Sequence, residues 1–349
     1  MAAMAAHTKH FSPGTTLPFG KRVWLLPGLL IAVGLLIACL LWSITLGAAD
    51  ITPQVVYDAL FNYNDAEFDH LIIQTVRLPR VIAGAIVGAA LAVAGALMQG
   101  LTRNPLADSG ILGINAGAAF AVVLTVFLIG TPSLSMYAIA ALVGAALAAG
   151  FVYGIGSLGG AASPLRLTLA GVILTAFVSS LTTAILIQDQ ETLDQIRFWT
   201  AGSLAGRDAP VITMTAPIIA AGMVGALLIS RQITTISLGE DVAKGLGQNT
   251  AIIKLVAAAL VVLLAGGAVA LAGPIGFVGL VVPHVARFLV GVDYRWIIPY
   301  SAVFGAMLVT VADVAARLIL RPQELPVGVM MAIVGAPFFI YLARWKVRR

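Results

Sequence analysis

Val23-Trp-Leu-Leu-Pro-Gly-Leu-Leu-Ile-Ala-Val-Gly-Leu-Leu-Ile-Ala-Cys-Leu-Leu-Trp-Ser-Ile-Thr-Leu46 runs for 24 positions without a charged side chain. As a helix this length reaches about 36 Å, enough to cross a hydrocarbon core of about 30 Å. A barrel strand would need about ten residues of alternating polarity, and no alternation is present. A secretory signal holds only about 7–15 apolar residues. Gly47-Ala48-Ala49 therefore reads as the end of an uncleaved first span, not as a cleavage site.

The rest of the chain repeats this pattern, as in the apolar run Ile252–Leu271. Of 349 residues, 60% are hydrophobic and 10% charged, with a mean hydropathy of +1.03. Soluble domains carry roughly 25% charged residues, which excludes that class and disorder. At roughly 20 residues per span, the apolar content allows about ten. The expected fold class is an all-α polytopic membrane protein of about ten transmembrane helices. They are expected at 24–46, 80–100, 110–130, 136–156, 165–187, 211–230, 250–272, 275–290, 297–320 and 326–343. Gly-x-x-x-Gly pairs at Gly84/Gly88, Gly113/Gly117 and Gly150/Gly154 give small faces on which helices approach closely.

With the N-terminus inside, 14 Lys and Arg fall on the inner side and six on the outer. The positive-inside rule then puts both termini in the cytoplasm. The chain divides into an N-terminal tail, 1–23, a membrane body, 24–343, and a basic tail, 344–349. Three connections are long: 47–79 outside, with an amphipathic piece around Val55–Phe61; 188–210 outside; and 231–249 inside. Gly88–Gly95 in span two is similar to Gly267–Gly273 in span seven. An inverted repeat is one reading of that likeness, and coincidence between small-residue helices is the other.

The chemistry of most enzymes is missing. The lone Gly-Lys pair, Gly20-Lys21, is followed by Arg22 and forms no phosphate loop. There is no His-Glu-x-x-His or Cys-x-x-Cys, and Cys39 is alone, so neither catalytic residues nor a metal site is expected. His284, at the inner end of span eight, reads as a helix-end hydrogen bonder. The net charge of +5 sits at helix ends and forms no patch for nucleic acid. An ion-coupled carrier would place carboxylates at mid-membrane. The best candidate, Asp313, has Arg317 four residues on along the same helical face and reads as a self-neutralised pair. In span five, Thr168, Gly171, Thr175, Ser179 and Thr182 share one face. That stripe either packs against a neighbour, its hydroxyls bonding i−4 carbonyls, or borders a wet pathway.

The loop Ser237-Leu-Gly-Glu-Asp-Val-Ala-Lys-Gly-Leu-Gly-Gln-Asn249 is punctuated by glycines, with acid first and base last, an order that complements a helix dipole. Two short helices with a sharp turn are expected, their apolar residues Val242, Ala243 and Leu246 needing a partner surface. This segment resembles the coupling loop of the iron-chelate/cobalamin family of ABC importer permeases. Arg77-Leu-Pro-Arg80, Asn104-Pro-Leu-Ala107 with Leu112-Gly113, Gly276-Phe-Val-Gly-Leu-Val-Val-Pro-His-Val-Ala-Arg287, Asp313-x3-Arg317, Glu324-Leu-Pro-Val-Gly328 and Gly335-Ala-Pro337 carry the same resemblance, in order, over about 24–343.

The resemblance implies a bacterial inner-membrane permease subunit with ten spans. It would pair with a second permease subunit, two cytoplasmic ATPases that hold ATP and Mg, and an external substrate-binding protein, using alternating access and no cofactor of its own. Iron–siderophore complexes are the implied cargo, with cobalamin or haem as the alternative and an ion-coupled carrier as the competing class. It further implies ATPase coupling for Gly239, Glu240, Asp241, Ala243, Gly245, Leu246 and Gly247. A cytoplasmic gate falls on Asn104, Pro105 and Leu106, and the span-five stripe lies at the central pathway. For Arg77, Arg80 and Arg317 it implies docking to acidic groups of the binding protein; anchoring at the membrane interface is the other reading. The family pattern often carries proline where this chain has Ser109.

Overall fold

The computed structural model describes residues 23–47, 51–158, 163–320 and 323–346. The tail assigned to 1–23 lies almost wholly outside them, as does part of the 344–349 tail. The described residues form helices joined by short connections, with no strand among them.

The first span is α1, Leu25–Thr45. The amphipathic piece that follows is α2, Pro53–Phe61, which buries Val56 and Ala59. A short helix α3, Phe68–Ile72, passes through a widened turn at Ile73–Arg77 into α4, Leu78–Thr102. A tight turn at Ser109–Leu112 leads to α5, Ile114–Ile129, and α6, Leu134–Ser157. Next come α7, Pro164–Gln188, the short α8, Gln190–Thr200, and α9, Ala209–Leu228. A helical hairpin, α10 (Ser230–Leu238) and α11 (Glu240–Gly245), precedes α12, Thr250–Val261. A second widened turn, Val262–Gly266, joins α12 to α13, Gly267–Ala272. The chain closes with α14, Val278–Val290, α15, Tyr294–Ile319, and α16, Val327–Lys346.

Among the described residues, seven helices are long and apolar enough to cross a membrane, and three shorter apolar ones stand at 114–129, 278–290 and 327–340. Two expected spans begin later than the hydropathy implies. Span three loses residues 110–113 because Gly113, at φ 71°, ends the tight turn. Span eight starts only at Val278, because Gly273 (φ 75°) and Phe277 (φ 69°) flank Pro274 and hold the segment out of a helix.

The two glycine-rich stretches that look alike lie in the two most buried spans. The windows in Phe68–Thr102 and Thr250–Ala272 are 78% and 72% buried, against 11% in α1. Around α4 the packing is set by missing side chains. A Cβ at Gly88 would overlap the Gly305 carbonyl of α15, and one at Gly95 would overlap the Gly279 carbonyl of α14. Such backbone contact replaces the hydrophobic drive that lipid cannot supply. Gly150 and Gly154, by contrast, have no neighbour within 4 Å, so that small face is unused within the chain. At about 37 Å, α4 separates two ends of the bundle, one holding Arg80 and the other the α10–α11 hairpin.

Candidate functional site

At the hairpin end, α10 and α11 are separated by Gly239, whose φ of 139° and ψ of 144° break the helix sharply. Gly247, at φ 78°, makes the second corner, and Asn249 caps α12 by accepting from the Ile252 amide at 3.2 Å. Glu240 fastens the hairpin to α12. Its carboxylate accepts from Lys254 Nζ at 2.7 Å and from Thr250 Oγ1 at 3.2 Å, and it pairs with Lys244 at 3.3 Å. The hydrogen bond from Lys254, helped by Lys244, holds the Glu240 carboxyl down at about 2, below its ordinary 4.5. Lys254 is a buried lysine inside an apolar run, and a charge so placed requires a partner.

The hairpin residues therefore do different things. Ala243 is fully buried within the chain, which corrects its expected place on the partner surface. Asp241, Gly245, Leu246 and Gly247 are exposed. Leu246 (72%), Val242 (48%) and Leu238 (61%) are all exposed. They leave the hairpin with an uncovered apolar edge, and Leu238 adds to the residues read from sequence.

The 104–113 segment leaves α4 through Arg103, which adopts φ 52°. Asn104 and Pro105 are exposed and Leu106 half-buried. The Asn104 side chain closes a turn by accepting from the Leu106 amide at 3.0 Å. Asp108 then caps the next turn, accepting from the Ser109 amide at 2.8 Å. A proline at 109 has no N–H to give, so this chain exchanges ring rigidity for a hydrogen-bonded cap.

The span-five stripe divides. Gly171 is buried, and a Cβ there would overlap the Ile111 carbonyl, so it is a seat for the 104–113 segment; this corrects its expected exposure to a pathway. Thr168 and Thr182 donate to the carbonyls of Pro164 and Val178, each at 2.9 Å, and are half-buried, as is Thr175, while Ser179 is exposed. Much of α7 stays uncovered, with Ile173 and Phe177 more than 60% exposed.

The opposite end corrects a third expectation. Arg77, Arg80 and Arg317 are all buried and bonded within the chain, where free docking groups were expected. Arg80 donates to both oxygens of Asp313 at 2.9–3.1 Å and to Glu324 at 2.6 Å. Arg317 pairs with Asp313 at 3.1 Å and donates to the Leu46 carbonyl at 2.6 Å and the Ser43 hydroxyl at 2.7 Å. Arg77 donates to the Ile44 carbonyl at 2.6 Å. The Asp313–Arg317 pair read from spacing is present, but Asp313 also serves Arg80, and Glu324 joins them. An Arg at the head of one apolar span and a carboxylate inside another were the available signal, since intramembrane charges seek each other. Among the described residues no group of three His, Cys, Asp or Glu could hold a metal ion.

This helical body, its hairpin and the ordered motifs along it match the model of the FecCD transport family over residues 35–345, and the chain belongs to that family. It is 48% identical over 303 residues, 86% of this chain and 91% of the relative, to a probable siderophore transport system permease protein of Bacillus subtilis. It is 47% identical over 321 residues, 90% and 83% of the two chains, to the iron(3+)-hydroxamate import system permease protein of the same species. A solved structure of a metal-chelate type ABC transporter in an inward-facing conformation matches with a TM-score of 0.80 at 29% identity. That match covers 90% of this chain and 98% of the other.

Proposed function

We propose that the chain is the membrane permease of an ABC importer for iron–siderophore complexes, with its hairpin end and both termini in the cytoplasm. The observation that carries this reading is the hairpin. A rigid, salt-bridged projection with an exposed apolar edge is what a partner needs to grip if it is to move the bundle. Nucleotide chemistry then belongs to partner ATPases that bind ATP and Mg, and this chain's part is conformational. Both similar Bacillus subtilis proteins carry siderophore or hydroxamate-iron descriptions, which supports ferric chelates as cargo.

A second permease subunit would cover the uncovered face of α7 and place Thr175 and Ser179 beside a shared pathway. An external binding protein would dock at the Arg80 end. Since Arg80 is already paired, a docking carboxylate would reach it by replacing Glu324, whose side chain is 34% exposed. Such exchange favours orientation and association rate over affinity.

The test is purification of the tagged chain from its own membranes in mild detergent, followed by mass identification of what accompanies it. A stoichiometric subunit with a phosphate loop, together with uptake of ferrichrome or a related ferric hydroxamate in its presence, is the expected result. Uptake that persists without any ATPase and collapses with the proton gradient would replace the importer reading with an ion-coupled carrier.

A further inference from the structure

The hairpin and the 104–113 segment are far apart in sequence, yet one short helix touches the surroundings of both. At its first turn, Gly279 of α14 lies against Asp108: a Cβ on Gly279 would come 2.5 Å from Asp108 Oδ1 and 3.0 Å from the Leu91 carbonyl. A carboxylate there faces the positive end of a 13-residue helix. At its last turn, Arg287 donates to the Oε1 of Gln99 and reaches the Tyr294 hydroxyl at 3.4 Å. Gln99 closes the circuit lengthwise, because its Nε2 donates to the Gly279 carbonyl at 2.9 Å. Gln99 is 3% exposed, and both ends of its amide are engaged.

The corner after α14 is held from the hairpin. Tyr294 opens α15, and its backbone N–H is one of those a helix leaves without an internal partner. The Thr234 hydroxyl of α10 accepts it at 2.9 Å while donating to the Ser230 carbonyl at 3.0 Å. The first hairpin helix thus caps α15. Close packing secures the same corner. A Cβ on Gly100 of α4 would come 2.5 Å from Ile233 of α10 and 2.9 Å from the Tyr294 hydroxyl, so α4, α10 and α15 meet with no slack.

We propose that α14 is the rod by which displacement of the hairpin reaches the 104–113 segment, with Thr234, Tyr294, Arg287 and Gln99 as its positioning residues. A shift of α10 moves the cap on α15 and the corner that carries Arg287. Gln99 keeps Arg287 and Gly279 in register with α4, and Gly279 bears on Asp108. The contacts are contiguous and wholly or partly buried, and a chain of this kind carries coupling when its elements have two arrangements. This inference rests on the hairpin's coupling role proposed above.

The test uses the full complex with its ATPases in liposomes, with an environment-sensitive fluorophore on Leu106→Cys in a Cys39→Ala background. The readout is the change in emission on adding ATP and vanadate. The expected result is a clear change in the parent that falls about tenfold, within the range of inter-site coupling, in Thr234→Val and Gln99→Leu, while both complexes still hydrolyse ATP. Thr234→Ser keeps the hydroxyl and should restore the change. The double variant should lose no more than either single one, since both cut one path. A full response in Thr234→Val and Gln99→Leu, alongside loss in Gly247→Trp, would overturn the rod and leave the hairpin's role standing. A full response in Gly247→Trp as well would overturn both, and a parent that never responds would overturn the rod.

Discussion

The two ends of the bundle handle charge in opposite ways. At the Arg80 end, guanidiniums and carboxylates are drawn inside and tie α1, α4, α15 and the segment before α16 together across as many as 274 residues of sequence. At the hairpin end, ion pairs are local or sit within a single hairpin and its neighbouring helix, and an apolar edge is left open to solvent. Buried, interlocked charge makes one end hard to deform from within. Exposed apolar surface on a braced hairpin makes the other end easy to take hold of. A permease worked by a partner on one side needs that division.

Asp313→Asn should break the contrast most severely. It leaves Arg80 and Arg317 without their shared carboxylate, and loss of one member of a buried pair costs about 3–5 kcal/mol. Denaturation of the detergent-solubilised chain would register this as a large fall in midpoint; an unchanged midpoint would mean the network holds nothing together. Leu246→Asp should act only on association. Removing one exposed leucine from an interface is worth about 1.5–3 kcal/mol, so ATPase binding should weaken by roughly tenfold or more, with the chain's own stability unmoved.

Acid should separate the two ends more finely. The Glu240 carboxyl is depressed to about 2 from 4.5, so the folded hairpin binds that proton less readily than the unfolded one. Its contribution is complete above about pH 4.5 and is lost as pH falls towards 2. Amide exchange of 239–249 should accelerate over that window, and Glu240→Gln should remove the pH dependence. The smallest effect is expected at Arg197, whose pair with Asp194 spans 3.5 Å with both side chains more than half exposed. Arg197→Ala should alter stability by less than about 1 kcal/mol; a larger loss would show that surface charge also matters to the rigid end.

The architecture was legible because hydropathy and glycine spacing are local signals. The apolar runs marked the helices, and Gly239 and Gly247 marked the hairpin's corners. Residue roles were less legible where they depend on pairing between distant segments. Arg80 and Asp313 are 233 positions apart, and nothing in either neighbourhood names the other. For charges at an apolar boundary the resemblance implied docking and the residues alone allowed interface anchoring, because the sequence shows what a side chain is, not which way it turns. For the same reason the spacing of the span-five stripe left packing and a pathway both open, and the resemblance chose the pathway. Gly171 instead lies against the Ile111 carbonyl, while Ala243, expected on a partner surface, is fully buried. Periodicity also missed the late start of span eight, where backbone at Gly273 and Phe277 overrides apolar composition.

The tethering of α1 has a consequence for biosynthesis. That helix is the least buried of the long spans, and two guanidiniums grip its C-terminal end: Arg77, close behind it in sequence, and Arg317, far beyond. At roughly 5–20 residues per second, the ribosome needs on the order of tens of seconds to travel from one to the other. During the interval before Arg317 is made, the first span has lipid and the Arg77 guanidinium to hold it. Its C-terminal carbonyls gain their full set of donors only when the ninth span arrives, so completion of the chain itself acts as the signal that fixes the first helix in place.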